Sequence, residues 1–472
     1  VNKKYDLFLQ DDKNSTEMKR NIRNFLLVYA LLWGLTFILF MILVSRGERE
    51  LLESAEFFID IATNRNFLIG FHVIVMGCYL LLLAVQHFIV VYRTKGKSIF
   101  FKQFGYRFVL PILVAFIGVK TLIYANSNEW NDYQWDSSVM NTKGVVNDLH
   151  DTDKKQRGMS VFGWSENNTA AINGLIKANV EWVAVVPFLY QEDEKTKVID
   201  TPEFPEQFSR RDSSFIRIIN ELHTKGLKVH LKPHLWMSSG WRSNITLDTA
   251  SEWDNWFASY RINMLRYARM AEITQTELFC IGTELRTSIK KQPDKWFQFI
   301  SEVKKVYSGE LTYAANWYDE YEHVPFWSEL DHIGIQAYFP LTKSENPCLE
   351  AIENGWNKHI TAMELLHEKY QKPILFTEVG YKSESKATIK PWEWSSILSP
   401  LTRKKSDRTQ QLAYEALFKK TWQQPWLSGI YVWEWNNRTP EESAATDLDF
   451  SPRFKPAENT IAKWYGKKIT RN

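Results

Sequence analysis

Apolar positions crowd one end of the chain and recur in short, punctuated runs over the rest. Residues 25–44, FLLVYALLWGLTFILFMILV, hold no charge over twenty positions, the length a helix needs to cross a hydrocarbon core. Residues 67–92 repeat this with two histidines and no formal charge. A shorter run, 108–124, includes Lys120, whose ammonium can snorkel toward an interface from near a helix end. Together they predict an all-helical transmembrane domain over residues 1–125, because a cleavable leader would be single, short and terminal. The polar stretch 126–156 reads as a linker.

From residue 157 the pattern changes period. β-rich runs occupy 157–164, 180–190, 226–236, 276–285, 309–317, 330–341, 372–381 and 427–435. Helix-like segments lie between them; PDKWFQFISEVKKVYSG, for example, opens on Pro293 and Asp294 and stops at Gly309, the expected start and stop signals. Continuous apolar strands alternating with helices predict a parallel sheet covered on both faces. Eight such units over 157–472 predict a (β/α)8 TIM barrel. An open doubly wound sheet gives a similar string, but no Rossmann glycine fingerprint or phosphate loop is present to support it.

Charge adds an orientation. The net charge of +3 and the lack of a basic stripe interleaved with aromatics argue against nucleic acid as a partner. Lys3, Lys4, Lys13, Lys19, Arg20 and Arg23 precede the first apolar run, and Arg93, Lys95, Lys97, Lys102 and Arg107 lie between the second and third. The loop between the first two has Arg46, Arg49 and Arg65 amid acids. The positive-inside rule puts the N-terminus and the second loop in the cytoplasm. Three crossings then predict an integral membrane protein with its barrel on the periplasmic or extracellular side, a conclusion that rests on the third run. Cys78, Cys280 and Cys348 are scattered and form neither a disulfide framework nor a metal site.

In a TIM barrel the C-terminal strand ends share one face, and that face carries the active site. Here those ends present Trp164, Tyr190 with Gln191, His234 with Trp236, Glu284, Asn316 with Trp317, Tyr338, Glu378, and Trp433 to Trp435. Glu284 and Glu378 close the fourth and seventh runs, nearly opposite each other. A facing carboxyl pair suits hydrolysis of a glycosidic bond, and aromatic rings offer flat apolar faces to sugars. Salt-bridged structural glutamates would fill the same positions. His230 and His234 flank Pro233 on a strand and not on a helix, so no zinc site is expected. No other metal or cofactor is indicated. Asp331 and His332 begin the sixth run, at the stability end of a barrel. The polar loops 382–407 and 436–458 could wall the cleft or simply connect.

The segments FCIGTELRTS, LTYAANWYDEYEHVPFWSELDHIGIQAYFPL and PILFTEVGYKS resemble the motifs of glycoside hydrolase family 113, (β/α)8 endo-β-1,4-mannanases of the large retaining clan. HLKPHLW and GIYVWEW fit the third and eighth strands, and the resemblance covers residues 157–466. It implies Glu284 as acid/base, Glu378 as nucleophile, Tyr338 beside the nucleophile and Trp433 as a platform under the sugar. Trp164, His234, Trp236, Asn316 and Trp317 are the further candidates for substrate binding. Two positions depart from the clan pattern: Thr283 stands where Asn is usual, and Leu235 where an acid usually follows the strand-three histidine. They bear on the sugar more than on the reaction. The function implied is retaining hydrolysis of a β-1,4-mannan-like glycan at the cell envelope, with carbohydrate as substrate and a lipid membrane as partner of the N-terminal helices. The alternatives are a retaining hydrolase of another β-linked glycan, and a glycan-binding or envelope assembly protein without activity.

Overall fold

The computed structural model describes residues 2–44, 58–59, 62–63, 65–127, 133–202, 204, 206–396 and 398–469. It divides into two compact units, Val1–Gly118 and Val119–Asn472. Arg46 and Arg49 of the first expected loop, and residues 128–132 of the expected linker, lie outside the described residues.

The first unit is helical. Asn2–Val44 is one helix, and Arg65–Phe104 runs through a π-helical turn, Gly105–Val109, into Leu110–Asn126. Two helices, Ile22–Ile42 and Phe67–Asn126, are long and apolar enough to cross a membrane. The second and third apolar runs therefore belong to one helical stretch, broken at Gly96, whose φ of 80° and ψ of 170° are not helical. The break reverses the chain. Phe88 meets Phe100 at 6.0 Å and Phe108 at 6.1 Å, whereas twenty residues of unbroken helix would separate Phe88 from Phe108 by about 30 Å. Only glycine takes that φ without steric cost, and Arg93, Lys95 and Lys97 cluster around it.

The second unit is a closed barrel of eight parallel strands. The ten strands of the unit are β1 Gln156–Phe162, β2 Trp182–Val185, β3 Phe188–Gln191, β4 Lys228–Leu231, β5 His234–Met237, β6 Leu278–Thr283, β7 Glu310–Asn316, β8 His332–Gln336, β9 Ile374–Val379 and β10 Leu427–Asn436. Around the barrel they run β1-β10-β9-β8-β7-β6-β4-β2, and β3 pairs with β5 in a separate parallel ribbon. The ribbon corrects the expectation of one strand each for 180–190 and 226–236. Pro187 and Pro233 interrupt both runs, since proline offers no N–H to a ladder. Tyr190, His234 and Trp236 thus sit on the ribbon beyond the barrel strands, with Tyr190 opposite Trp236.

Helices cover the barrel as their amphipathic spacing dictates. Arg210–Thr224 and Ala250–Ile273 each open with a reciprocal capping box, Ser209 with Asp212 and Thr249 with Glu252. Inside, Tyr431 of β10 lies against Gly158 of β1, its hydroxyl donating to Gln156 Oε1 at 2.8 Å. At the opposite end from the site, His332 meets Glu310 and Ser428 at 3.0 and 3.1 Å. The stretch read as a linker is tied down where it is described. Tyr133 donates to Glu458 at 2.6 Å, and the backbone N–H groups of Leu149 and His150 bond the Glu181 carboxylate at 2.7 and 2.9 Å. The two long loops are pinned to each other: buried Lys455 bonds Asp447 and Ser383 at 2.8 and 2.9 Å.

Candidate active site

Glu284 follows β6 with a φ of 53°, in the left-handed region. A non-glycine residue there is uncommon and is held by its surroundings. Its N–H bonds Ala314 O at 2.9 Å and its carbonyl accepts from Ser243 Oγ at 2.8 Å. The side chain is buried. Its Oε2 accepts from Arg242 Nε and Nη2 at 3.2 and 2.9 Å, and its Oε1 from Asn316 Nδ2 at 3.2 Å. Asn316 is itself set by Glu320, which accepts from its N–H at 2.7 Å and from Tyr313 OH at 2.6 Å. Burial pushes the Glu284 carboxyl up, Arg242 pulls it down and the charge of Glu378 pushes it up again, leaving it raised from its ordinary value.

Glu378 lies on β9, also buried, and its surroundings act in the opposite sense. Lys232 Nζ is 2.5 Å from Oε1 and donates to Thr377 O at 2.9 Å. Tyr338 OH donates to Oε2 at 3.1 Å. The Gln336 amide, turned with its nitrogen toward the carboxylate, reaches both oxygens at 3.1 and 3.2 Å. His234 Nε2 is 3.2 Å from Oε1, though off the line of a good hydrogen bond. Burial opposes the charged form, but Lys232 and His234 outweigh it and carry the carboxyl down to about 2. Two buried carboxyls that feel each other are thus driven apart in proton affinity, the arrangement that divides acid from base.

Rings line the same mouth. Trp433 is buried with Tyr338 and Phe450, lies parallel to His234 at 6.1 Å and takes Phe162 edge-on at 4.9 Å. Trp317 packs against this group and stacks on Trp392 at 4.7 Å. The structure therefore gathers Glu284 with Asn316, and Glu378 with His234, Tyr338 and Trp433. Trp236 is 54% exposed on the ribbon with its ring edge-on to Phe188. Trp164 packs half-buried on the core, and its Nε1 has no partner among the described residues. Neither bonds a carboxylate among the described residues. The Thr283 hydroxyl is likewise buried without a partner among them.

Sequence reasoning missed Lys232, Arg242, Gln336 and Glu434. A signal existed for two of them, since a lysine within VHLKPHL and a glutamine ending HIGIQ are polar groups in buried runs and call for partners. Arg242 opens the short 3-10 turn Arg242–Asn244 and carries no such mark. Glu434 follows Trp433 and is pushed up to about 7 by burial and by the charges of Asp449, Glu378 and Asp447. Among the described residues no group of three or more His, Cys, Asp or Glu is placed to hold a metal ion.

The barrel is similar to known proteins in sequence and in fold. The model of Glycoside Hydrolase Family 113 matches residues 159–455. A GH113 β-1,4-mannanase solved as a complex superposes with a TM-score of 0.58 at 28% identity, over 66% of this chain and 98% of its own. The GH113 β-mannanase AaManA from Alicyclobacillus acidocaldarius, solved with ManMIm, gives 0.58 at 27% identity, over 66% and 97%. No curated protein matches the chain. With the family model spanning more than half of the sequence, and a barrel that carries its buried carboxyls on the fourth and seventh strands, the chain belongs to glycoside hydrolase family 113 and is a retaining glycoside hydrolase.

Proposed function

We propose that the protein hydrolyses a β-1,4-mannan-like glycan by double displacement, with Glu378 as nucleophile and Glu284 as acid/base. The observation that carries this reading is the pair of buried carboxyls at one barrel mouth with unlike partners: Lys232 and Tyr338 bond Glu378 and favour its charged form, while Glu284 is held by Arg242 and Asn316 in a burial that favours its protonated form. In the first step Glu378 attacks the anomeric carbon as the bond to the departing oxygen breaks, and Glu284 gives that oxygen its proton. In the second, water attacks the same carbon, its proton passes to Glu284, and Glu378 leaves as a carboxylate. Asn316 orients Glu284, Tyr338 and Gln336 orient Glu378, and Trp433 offers its face to the sugar. Support for the mannan-like substrate comes from the two superposed structures, both of β-mannanases.

The test is a pair of substitutions with products resolved by anomeric configuration. Glu378→Gln should abolish turnover whatever the leaving group. Glu284→Gln should lower kcat/KM for glycosides with poor leaving groups by about 100- to 10,000-fold and spare kcat/KM for activated aryl glycosides, whose glycosyl ester should accumulate because its hydrolysis has lost the base. Equal losses of kcat/KM on both substrate types for Glu284→Gln would overturn its role as acid.

The same reading sets the N-terminal helices in a bilayer and the barrel outside the cytoplasm. Its support is the apolar length of Ile22–Ile42 and Phe67–Asn126, with the fold-back at Gly96 making the second stretch two crossings, and basic residues at that turn. A reporter active only outside the cytoplasm, fused after Met140, should be active; silence would reverse the topology.

A further inference from the structure

Lys232 stands in the turn between β4 and β5, fully buried, and reaches across the barrel to β9. Its Nζ meets three things: Glu378 Oε1 at 2.5 Å, Thr377 O at 2.9 Å, and the Trp433 ring, whose centroid is 5.8 Å away. An ammonium removed from water is costly unless a charge partner and hydrogen bonds replace its hydration, and here the partner is the carboxylate read as the nucleophile. A lysine kept only for packing could be an apolar residue of similar length at lower cost.

We propose that Lys232 is a positioning residue for the reaction, acting through Glu378: it fixes the carboxylate's charge and orientation for attack and supports it as the leaving group when the glycosyl ester is hydrolysed. This rests on Glu378 being the nucleophile. The geometry fits both halves of the task. The bond to Thr377 O ties Nζ to the residue immediately before Glu378, so the cation stays in register with the carboxylate. In the second step the bond between the anomeric carbon and Glu378 breaks and its electron pair returns to the carboxylate, while water supplies the new C–O bond and its proton goes to Glu284. The negative charge reappears beside Nζ in a buried site, where a fixed cation needs no reorganisation. The ionisable groups that act on Glu378 come from several elements: Lys232 from this turn, His230 from β4, His234 from β5, Tyr338 beyond β8, Glu284 beyond β6 and Glu434 from β10. Lys232 is the one among them that bonds Glu378 as an ammonium.

The experiment uses the full-length chain and an activated aryl β-mannoside, with the pH profile of kcat/KM and the lifetime of the glycosyl-enzyme as readouts. First, a β-mannoside with fluorine in place of the hydroxyl beside the anomeric carbon is used to trap the ester, and the labelled peptide is identified by mass. Label on a residue other than Glu378 would overturn the nucleophile assignment, and this proposal with it. With Glu378 labelled, Lys232→Met should raise the acid limb of the profile by about 1–3 pH units, the loss expected when an opposite charge in contact is removed, and should lengthen the life of the trapped ester. Lys232→Arg, which keeps the charge, should retain the acid limb. If Lys232→Met does not fold, Lys232→Ala with added ethylammonium replaces it, and rescue concentrated at acidic pH is expected. A folded Lys232→Met whose acid limb and ester lifetime match the parent protein overturns the proposal, as does absence of rescue in a folded Lys232→Ala.

Discussion

At the scale of single residues the site is governed by which cation touches which carboxylate. Glu284 and Glu378 are both glutamates, both buried and both at strand ends, yet their proton affinities diverge because Lys232 and His234 together outweigh burial at Glu378, whereas Arg242 alone does not outweigh burial and the charge of Glu378 at Glu284. Arg242 opposes the upward push on Glu284 without cancelling it. Removing it as Arg242→Met should therefore move the alkaline limb of the kcat/KM profile to higher pH, because the group favouring the charged form of the acid is gone. A limb that stays in place, or moves down, would show that Arg242 does not set the ionisation of Glu284. The left-handed backbone at Glu284 belongs to the same scale: it turns the carboxylate off the strand line toward Arg242 and Asn316.

At the scale of elements, the barrel closes where glycine lets a ring approach backbone. A methyl group added at Gly158 would lie 2.4 Å from the Tyr431 ring, well inside van der Waals contact, and that ring is held by its bond to Gln156 and by His230 edge-on at 4.8 Å. Gly158→Ala should therefore cost about 1–3 kcal/mol, as overpacking of a filled core does, and should lower the melting temperature in a thermal scan; an unchanged melting temperature would mean that the ring yields freely. The ribbon is also an element-scale feature. Pro187 and Pro233 separate β2 from β3 and β4 from β5, each ribbon strand beginning at the residue after the proline, which lifts His234 to the level of Glu378 and sends Trp236 outward.

At the scale of the molecule, buried carboxyls make the stability of the barrel depend on pH. Burial, the leading cause in each case, pushes Glu320 to about 8 and Glu434 and Glu458 to about 7, against about 4.3 in an unfolded chain. Between those values the folded form binds more protons than the unfolded one, so stability falls as pH rises. Their contribution is full below about pH 4 and is lost by about pH 8. Glu378 acts with the opposite sign at the acid end: its depressed value adds stability above the unfolded carboxylate range, and this is lost as pH falls toward about 2. His150, His230, His234 and His359 act in the opposite direction, since burial holds each below its ordinary value, so the test is differential: the melting temperature of Glu320→Gln relative to the parent should rise from pH 5 to pH 8. A difference that stays constant or falls over that range would contradict the assignment.

The local order of residues determined the architecture of this protein. Apolar length marked the N-terminal helices, and the alternation of short apolar runs with helical periods marked eight barrel strands, because side-chain period and proline placement are properties of neighbouring residues. The same order put Glu284 and Glu378 at the ends of the fourth and seventh strands. Only the tertiary structure decided what surrounds them. Lys232 and Glu378 are 146 positions apart, and Arg242 and Glu284 are 42 apart. No local pattern records such pairings; they exist because barrel closure brings strands distant in sequence to one mouth, where burial and the nearest charge set the proton affinity of each carboxyl.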